Sequence, residues 1–342
     1  MTSAHYNAAV RIHSSAPTRI DLAGGTLDIW PLYLLHENAQ TINVAITRRA
    51  ECFLSNRPDQ LLSVSAEDTN TTAKVANARE LNTEPNLKLL AKVLGHFQAS
   101  GMAIKTRSRS PVGAGLAGSS ALNIALCAGL ARWKHQELAP EQLMALALDL
   151  EAQAISAPTG LQDYRPATYG GIAAIELIPG GVKHVPLKVN IKEFNKRLVL
   201  VYTGQSRNSG INNWEVTKQH IDGNRKTIEA FDRIRDVTTQ MRKALEDEDW
   251  QDVSTLINYE WELRKSLAPG ISTNQIDFLI TQGLKSGALA AKICGAGGGG
   301  CIFFLSKPDR TEHVRESLSA AGAHLLDCQV DANGVCVTVE TE

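Results

Sequence analysis

"SPVGAGLAGSSALNIALCAGLA", residues 110–131, decides how the chain is read. Gly113, Gly115, Gly118, Ser119 and Ser120 fall within eight residues, and a run rich in alanine and leucine follows at once. Glycines let backbone N–H groups turn toward one point with no side chain in the way. A helix starting just behind them adds unpaired N–H donors and the positive end of its dipole. The segment can therefore cradle a polyphosphate, with the Ser119 and Ser120 hydroxyls in reach of a phosphate oxygen or a Mg²⁺ ion. A tight strand-to-helix turn explains the same glycines equally well. Two familiar phosphate loops are excluded. No Gly-Lys-Ser/Thr closes the run as in a Walker A loop, and no acidic residue follows at the distance of a dinucleotide fingerprint.

Outward from this loop the first half reads as strands with helices behind them. Residues 11–24 and 45–56 mix β-branched and apolar residues with polar ones, and 60–68 looks like another strand. Leu87, Leu90, Val93, Leu94 and Phe97 recur at helical spacing. Helices are expected over 120–136 and 139–155, the second started by Pro140 and Glu141. Residues 157–177 form a polar loop returning to a strand, and 197–204 are a strand. From about Ile211 the chain is largely helical as far as Leu267, and 274–288 is a further helix. The composition shifts near residue 190, which places a boundary between units 1–190 and 191–342. A second glycine run, "CGAGGGGC" at 294–301, has five glycines in six residues. That exceeds the need of a turn and points to close backbone approach, to a ligand or to the other loop. A last helix at 311–322 and a strand at 334–341 end the chain.

The bulk numbers exclude some classes. The chain has 342 residues, 43% of them hydrophobic, which suffices for a substantial core. Charged residues make up 21% and the net charge is −1, so nothing general attracts a nucleic acid or an anionic membrane. The first residues lack the apolar core of a signal peptide, and no apolar run approaches the ~18 residues of a membrane span. A cytoplasmic setting with reduced thiols is expected. The six cysteines form no C-x-x-C pair and read as small buried hydrophobes. The nine histidines show no ligand spacing. Trp30 and Trp261 read as packing residues rather than sugar platforms.

Three segments match one pattern in order. "APTRIDLAGGTLDIWP" (16–31), "SPVGAGLAGSSAL" (110–122) and "KICGAGGGGCIFFL" (292–305) resemble the three motifs of the GHMP small-molecule kinases. "EAQAISAPTGLQD" (151–163), "YTGQSR", "YEWELRKSLAPGIST" and "YGGIAAIEL" look like the branch with the D-glycero-D-manno-heptose 7-phosphate kinases and L-fucokinase-type sugar kinases. Two departures stand out. Ala117 and Gly118 occupy places where a glycine and a serine are usual. Motif 1 reads Gly24-Gly25-Thr26-Leu27-Asp28 in place of G-G-G-T-D or G-G-W-x-D.

The resemblance implies an α+β, two-domain GHMP kinase fold. Its N-terminal unit would be like the second domain of ribosomal protein S5, its C-terminal unit ferredoxin-like, with the site between them. It implies an ATP- and Mg²⁺-dependent kinase that phosphorylates a sugar hydroxyl, often the anomeric one. The alternatives are a mevalonate-branch kinase acting on a small hydroxy-acid and a catalytically silent binding protein. Pro111, Gly113, Ala114, Gly115, Leu116, Ala117, Gly118, Ser119 and Ser120 would hold the nucleotide. Asp163 would be the base or aligning carboxylate and Arg19 its cationic neighbour; an Asp capping a turn and a surface Arg are the plainer alternatives. Glu151 with Ser120 would hold Mg²⁺ unless it is a solvated helix-face residue. Asp28 would accept hydrogen bonds from sugar hydroxyls unless it caps a helix. Gly24, Gly25, Arg207, Gly297 and Gly298 complete the implied substrate set. A small-molecule sugar is the expected partner, with no nucleic acid, no membrane and a possible homodimer.

Overall fold

The computed structural model describes residues 10–206 and 210–341. The chain runs β1 (Val10–Ala23), β2 (Gln40–Asn56), β3 (Leu62–Ala66), β4 (Thr71–Val75), α1 (Lys88–His96), β5 (Met102–Ser108), α2 (Gly118–Trp133), α3 (Pro140–Ile155) and α4 (Tyr164–Tyr169). It continues β6 (Ile172–Ile178), β7 (Gly181–Pro186), α5 (Ile191–Asn195), β8 (Leu198–Tyr202), α6 (Gly210–Ile221), α7 (Arg225–Glu246) and α8 (Trp250–Leu267). It ends α9 (Asn274–Lys285), β9 (Ala288–Ile293), β10 (Cys301–Ser306), α10 (Thr311–Ala320), β11 (His324–Leu325) and β12 (Cys336–Thr341). The expected helical run after residue 210 is three helices, and each later start carries its own cap. The Asn224 side chain accepts from the N–H groups of Lys226 and Thr227, and Asp249 accepts from that of Asp252.

The strands form two sheets. One is ordered β12–β1–β2–β5–β3–β4, with β6 also on β2 and β7 beyond it. The long β2 makes this possible: Gln40–Val44 pair with β6 and Ala50–Asn56 with β5. The other is ordered β11–β8–β10–β9 and is antiparallel throughout. Its chain order is β-α-β-β-α-β with strands placed 4-1-3-2, the ferredoxin-like arrangement. This is the two-domain α+β architecture that the motifs implied.

Helix α2 is buried nearly all round, from Ser120 to Ala131, because β1 and β2 cover one side and α3, α4 and β12 others. Gly129 lets the helix approach Ser14 of β1. One apolar core lies between α1, α2, α3 and the sheet residues Ile12, Cys52, Leu54 and Ile104. The second joins Ile20, Leu22, Ile42 and Val44 to α7, α8 and the four-stranded sheet. The division between cores thus crosses β1 and β2 rather than one position in the chain. The chain end also returns to the first sheet. Asp331 accepts from Arg49 at 2.6 Å, and β12 pairs with β1 from Val10↔Thr341 to Ser15↔Cys336. A second unit running to residue 342 therefore needs correcting at its end: residues 336–341 cover the edge of β1, which would otherwise stand bare.

Candidate active site

The two glycine runs are built against each other. The Cys301 N–H donates to the Ala114 carbonyl at 2.8 Å. A Cβ on Gly115 would strike the Cys294 carbonyl, and one on Gly300 would lie 2.7 Å from the Ala114 oxygen. Gly113 and Gly115 have φ of +70° and +75°. The second run thus makes the close backbone contact with the other loop that its glycines suggested. Ala117, at φ +58°, is the last residue before α2 and holds a left-handed conformation that costs an L-residue roughly 1–2 kcal/mol. The first-turn N–H groups of α2 have no helical partner of their own, and Gly118, Ser119 and Ser120 line the cleft.

Glu151 stands beside that helix start, buried at 5% exposure rather than on a solvated face. Its Oε1 accepts from Ser119 at 2.6 Å and its Oε2 from the Tyr164 hydroxyl at 2.8 Å. Burial pushes the carboxyl above its usual range, and hydrogen bonds from Ser119, Tyr164 and Ser120 pull back. The first hydroxyl on Glu151 in the hydrogen-bond network is thus that of Ser119, not of Ser120.

Arg19 is a buried residue of β1, not a surface one. Its Nε and NH2 both donate to Asp163 Oδ1, at 3.0 and 2.6 Å, and NH1 donates to the Gly115 carbonyl at 2.8 Å. Asp163 precedes α4, yet its side chain makes no capping bond. Asp28 also lines the cleft, 1% exposed, and its Oδ2 accepts from the Gln162 N–H at 3.0 Å. It caps no helix: the 3₁₀ turn Leu32–Leu35 is preceded by Pro31. Burial and the nearby charge of Asp163 raise the Asp28 carboxyl to about 7.

These groups share one cleft of about 1020 Å³, lined by Arg19, Asp28, Glu151, Asp163, Pro111, Gly113, Ala114, Gly115 and residues 117–120. Ala66, Asn86 and Leu90 line it as well. Other expected site residues sit elsewhere. Leu116 is buried in the core. Gly24 packs on the Gln40 carbonyl, and Gly25 leaves room for Arg264 and Asp21. Gly297 and Gly298 lie against Ile271 and Gly270, and Gly295 and Ala296 line the cleft in their place. Arg207 falls outside the described residues. Trp261 is 3% exposed and packs as expected, but Trp30 is 64% exposed on the cleft wall, which corrects its reading as a packing residue.

A buried ionic cluster beneath the site escaped the sequence reading. Arg264 reaches Asp21 at 3.0 Å, Glu260 at 3.4 Å and the Thr26 hydroxyl at 3.2 Å. Lys292 reaches Glu260 at 2.8 Å and Asp21 at 3.5 Å. Burial alone would raise the Asp21 carboxyl, but Lys292, Arg264 and Arg19 hold it below its usual range. Two cations and two anions balance, so the charges compensate each other out of water. The cluster ties β1 to α8 and β9 directly under Gly25. Its one signal in the sequence is charge inside apolar strands, Asp21 in "RIDLAG" and Lys292 in "AAKIC".

Residues 86–171 match the GHMP kinases N-terminal domain and residues 241–324 the GHMP kinases C-terminal domain. The chain is 25% identical over 334 residues to the D-glycero-α-D-manno-heptose 7-phosphate kinase of Campylobacter jejuni, covering 95% of this chain and 98% of that protein. It is also 25% identical over 353 residues to the mevalonate kinase of Thermococcus sibiricus, again covering 95% and 98%. The crystal structure of a D-glycero-D-manno-heptose 1-phosphate kinase from Bacteroides thetaiotaomicron superposes with a TM-score of 0.77 at 22% identity, over 96% of this chain and 98% of that one. Among the described residues, no helix is long and apolar enough to cross a membrane. With both family domains in order on the fold that carries them, the chain belongs to the GHMP kinases and is a phosphotransferase that acts on a hydroxyl group.

Proposed function

We propose that this kinase transfers the γ-phosphoryl group of ATP to a hydroxyl, the anomeric one, of a sugar or sugar phosphate. The observation that carries the reading is the placement of Asp163, gripped by Arg19 on one oxygen, beside the glycine loop and in one cleft with Asp28. The triphosphate would lie along residues 113–120 with its anionic end on the α2 N–H groups. The base would rest at the Ala66, Asn86 and Leu90 end.

Phosphoryl transfer needs alignment and charge neutralisation more than covalent help. Asp163 would orient the acceptor hydroxyl and take its proton on Oδ2 as the new O–P bond forms and ADP departs. Arg19 would keep that carboxylate oriented and offset charge on the transferring group. Asp28 would bind the neighbouring hydroxyls. Glu151 and the Ser119 and Ser120 hydroxyls offer the hard oxygen donors that suit Mg²⁺, an ion needing few protein ligands beside phosphates. When bound, Mg²⁺ would neutralise charge on the phosphate oxygens. For the domain division we propose the change near residue 190, with the terminal strand assigned to the first unit.

A hydroxy-acid acceptor is the second reading. The identity to a mevalonate kinase favours it. NMR of the product from a pooled-sugar reaction, run beside one with mevalonate, tests both. A phosphorylated sugar with a shifted anomeric signal supports the proposal. Turnover on mevalonate alone refutes it.

A further inference from the structure

Of the five tryptophans, only Trp30 and Trp214 are more than half exposed, at 64% and 58%. Both line the cleft that also holds Asp28. Trp30 follows Asp28 by two residues. Trp214 stands on α6, whose Thr217 and Ile221 also line the cleft. An indole presents a broad apolar face with one polar N–H, and it costs little conformational entropy to hold in place. Two such faces left in water along one cleft suit a ligand with an apolar face of its own. A cyclic sugar has one in the C–H groups of its ring; a short open-chain hydroxy-acid does not.

The segments bearing these tryptophans are tied together by a buried bond. His36 Nε2 and His220 Nε2 lie 2.8 Å apart, and His36 Nδ1 lies 2.9 Å from Asp232 Oδ1. The two histidines are 2% and 6% exposed. Asp232 is also held by Arg235 at 2.9 Å, and the Phe231 ring packs against both imidazoles. The tautomers follow from the network. Asp232 takes the Nδ1 proton of His36, so His36 Nε2 must accept from His220 Nε2–H. His220 Nδ1 is then a bare acceptor, and it is buried without a hydrogen-bond partner among the described residues. One proton thus links the 3₁₀ turn Leu32–Leu35, just after Trp30, to the last turn of α6, after Trp214.

We propose that Trp30 and Trp214 form an aromatic clamp that selects a cyclic sugar as acceptor, with His36 and His220 as positioning residues that set its spacing. The inference rests on the sugar-kinase reading and narrows it to ring-form acceptors.

The acceptor identified by product NMR is used in the test. Trp30→Ala and Trp214→Ala should each raise the KM for that sugar by at least about tenfold, with kcat within roughly threefold and the KM for ATP unchanged. The sugar should also shield the wild-type tryptophans from acrylamide quenching. His220→Leu should raise the sugar KM, and His220→Gln, whose amide can still donate, should restore most of it. A merely structural histidine would lower the melting temperature without splitting the sugar KM from the ATP KM. Unchanged sugar KM in both tryptophan variants, or no shielding, overturns the clamp while leaving the sugar kinase standing. If only mevalonate is phosphorylated, the sugar reading falls and takes the clamp with it.

Discussion

Arg19 places two N–H groups on a single oxygen of Asp163, Oδ1, and none on Oδ2. No hydrogen bond reaches Oδ2 among the described residues, and Asp163 lines the cleft with about a quarter of its side chain exposed. One oxygen is anchored and the other is open to a substrate hydroxyl. Asp163→Asn keeps the shape and removes the base. It should lower kcat by about 10²–10⁴-fold, while ATP affinity, measured calorimetrically, stays near wild type. Near-normal turnover would remove Asp163 from the chemistry. Arg19→Lys should also lower kcat, because one ammonium cannot hold Oδ1 and the Gly115 carbonyl together.

The contact between the glycine loops gives a second prediction. Gly115 and Gly171 share almost the same φ, +75° and +74°, but only Gly115 has a neighbour where a Cβ would go. Gly171→Ala should cost roughly 1–2 kcal/mol, the left-handed penalty alone. Gly115→Ala should cost clearly more in chemical denaturation, because the Cys294 carbonyl must move, and it should weaken ATP binding as the loop shifts. Equal losses in the two variants would show that the loops are not packed as described.

Much of this architecture could be read from residue order. The strand-to-helix change around residue 110, the two glycine runs and the carboxylates at 151 and 163 are local patterns, and the fold brings them to one cleft. What stayed hidden depends on partners far away in the chain. Strand "GVCVTVET" was legible as a strand, but its pairing with β1 was not. Gly24, Gly25, Gly297 and Gly298 are needed for close packing on neighbouring backbone and side chains, and a glycine needed for packing looks the same as one needed for a ligand. The Arg264–Asp21–Glu260–Lys292 cluster joins three elements, and no spacing within one segment announces it. His36 and His220 are 184 residues apart in sequence.

Ala117 supplies a third prediction. It holds φ +58° just before α2, where a glycine would avoid the steric cost. Ala117→Gly should raise stability by up to about 1 kcal/mol, since the relief of strain is partly offset by the added freedom of the unfolded chain. A β-branched residue fits this region far worse, so Ala117→Val should lower the melting temperature. The pair is checked by thermal melts with and without ATP. Loss of stability in Ala117→Gly would mean that the alanine methyl group makes a contact worth more than the strain.

Glu151 is the carboxylate proposed above for Mg²⁺, and it is buried with Ser119 and Tyr164 on its two oxygens. Glu151→Gln preserves the size and those positions but removes the charge. The Mg²⁺ concentration for half-maximal rate should rise at least about tenfold, as an anion–cation contact is lost near the phosphates. The Tyr164→Phe variant should show a smaller shift, because it removes only a hydrogen bond that orients the carboxylate. An unchanged Mg²⁺ requirement in Glu151→Gln would place the metal elsewhere.

Asp28 links stability to pH. Its carboxyl is raised to about 7 by burial and by the charge of Asp163, whereas an unfolded aspartate titrates near ~3.9. Below about pH 4 the group is protonated in both states and imposes no penalty. Between about pH 4 and 7 the unfolded chain releases a proton that the folded chain keeps, so stability falls as pH rises through that window. Above pH 7 the folded carboxyl is ionised too and the loss levels off, on the order of 4 kcal/mol at most. Asp28→Asn keeps an oxygen for the Gln162 N–H and removes the titration. It should match wild type in denaturant stability near pH 4 and exceed it near pH 8. Acceptor affinity should follow the opposite sign, because an ionised Asp28 accepts hydrogen bonds from two hydroxyls at once. Wild-type acceptor KM should therefore fall as pH rises through 7, with a flat profile in Asp28→Asn and an unchanged KM for ATP. Parallel stability curves for the two proteins from pH 4 to 8 would show that Asp28 ionises like an ordinary surface carboxylate.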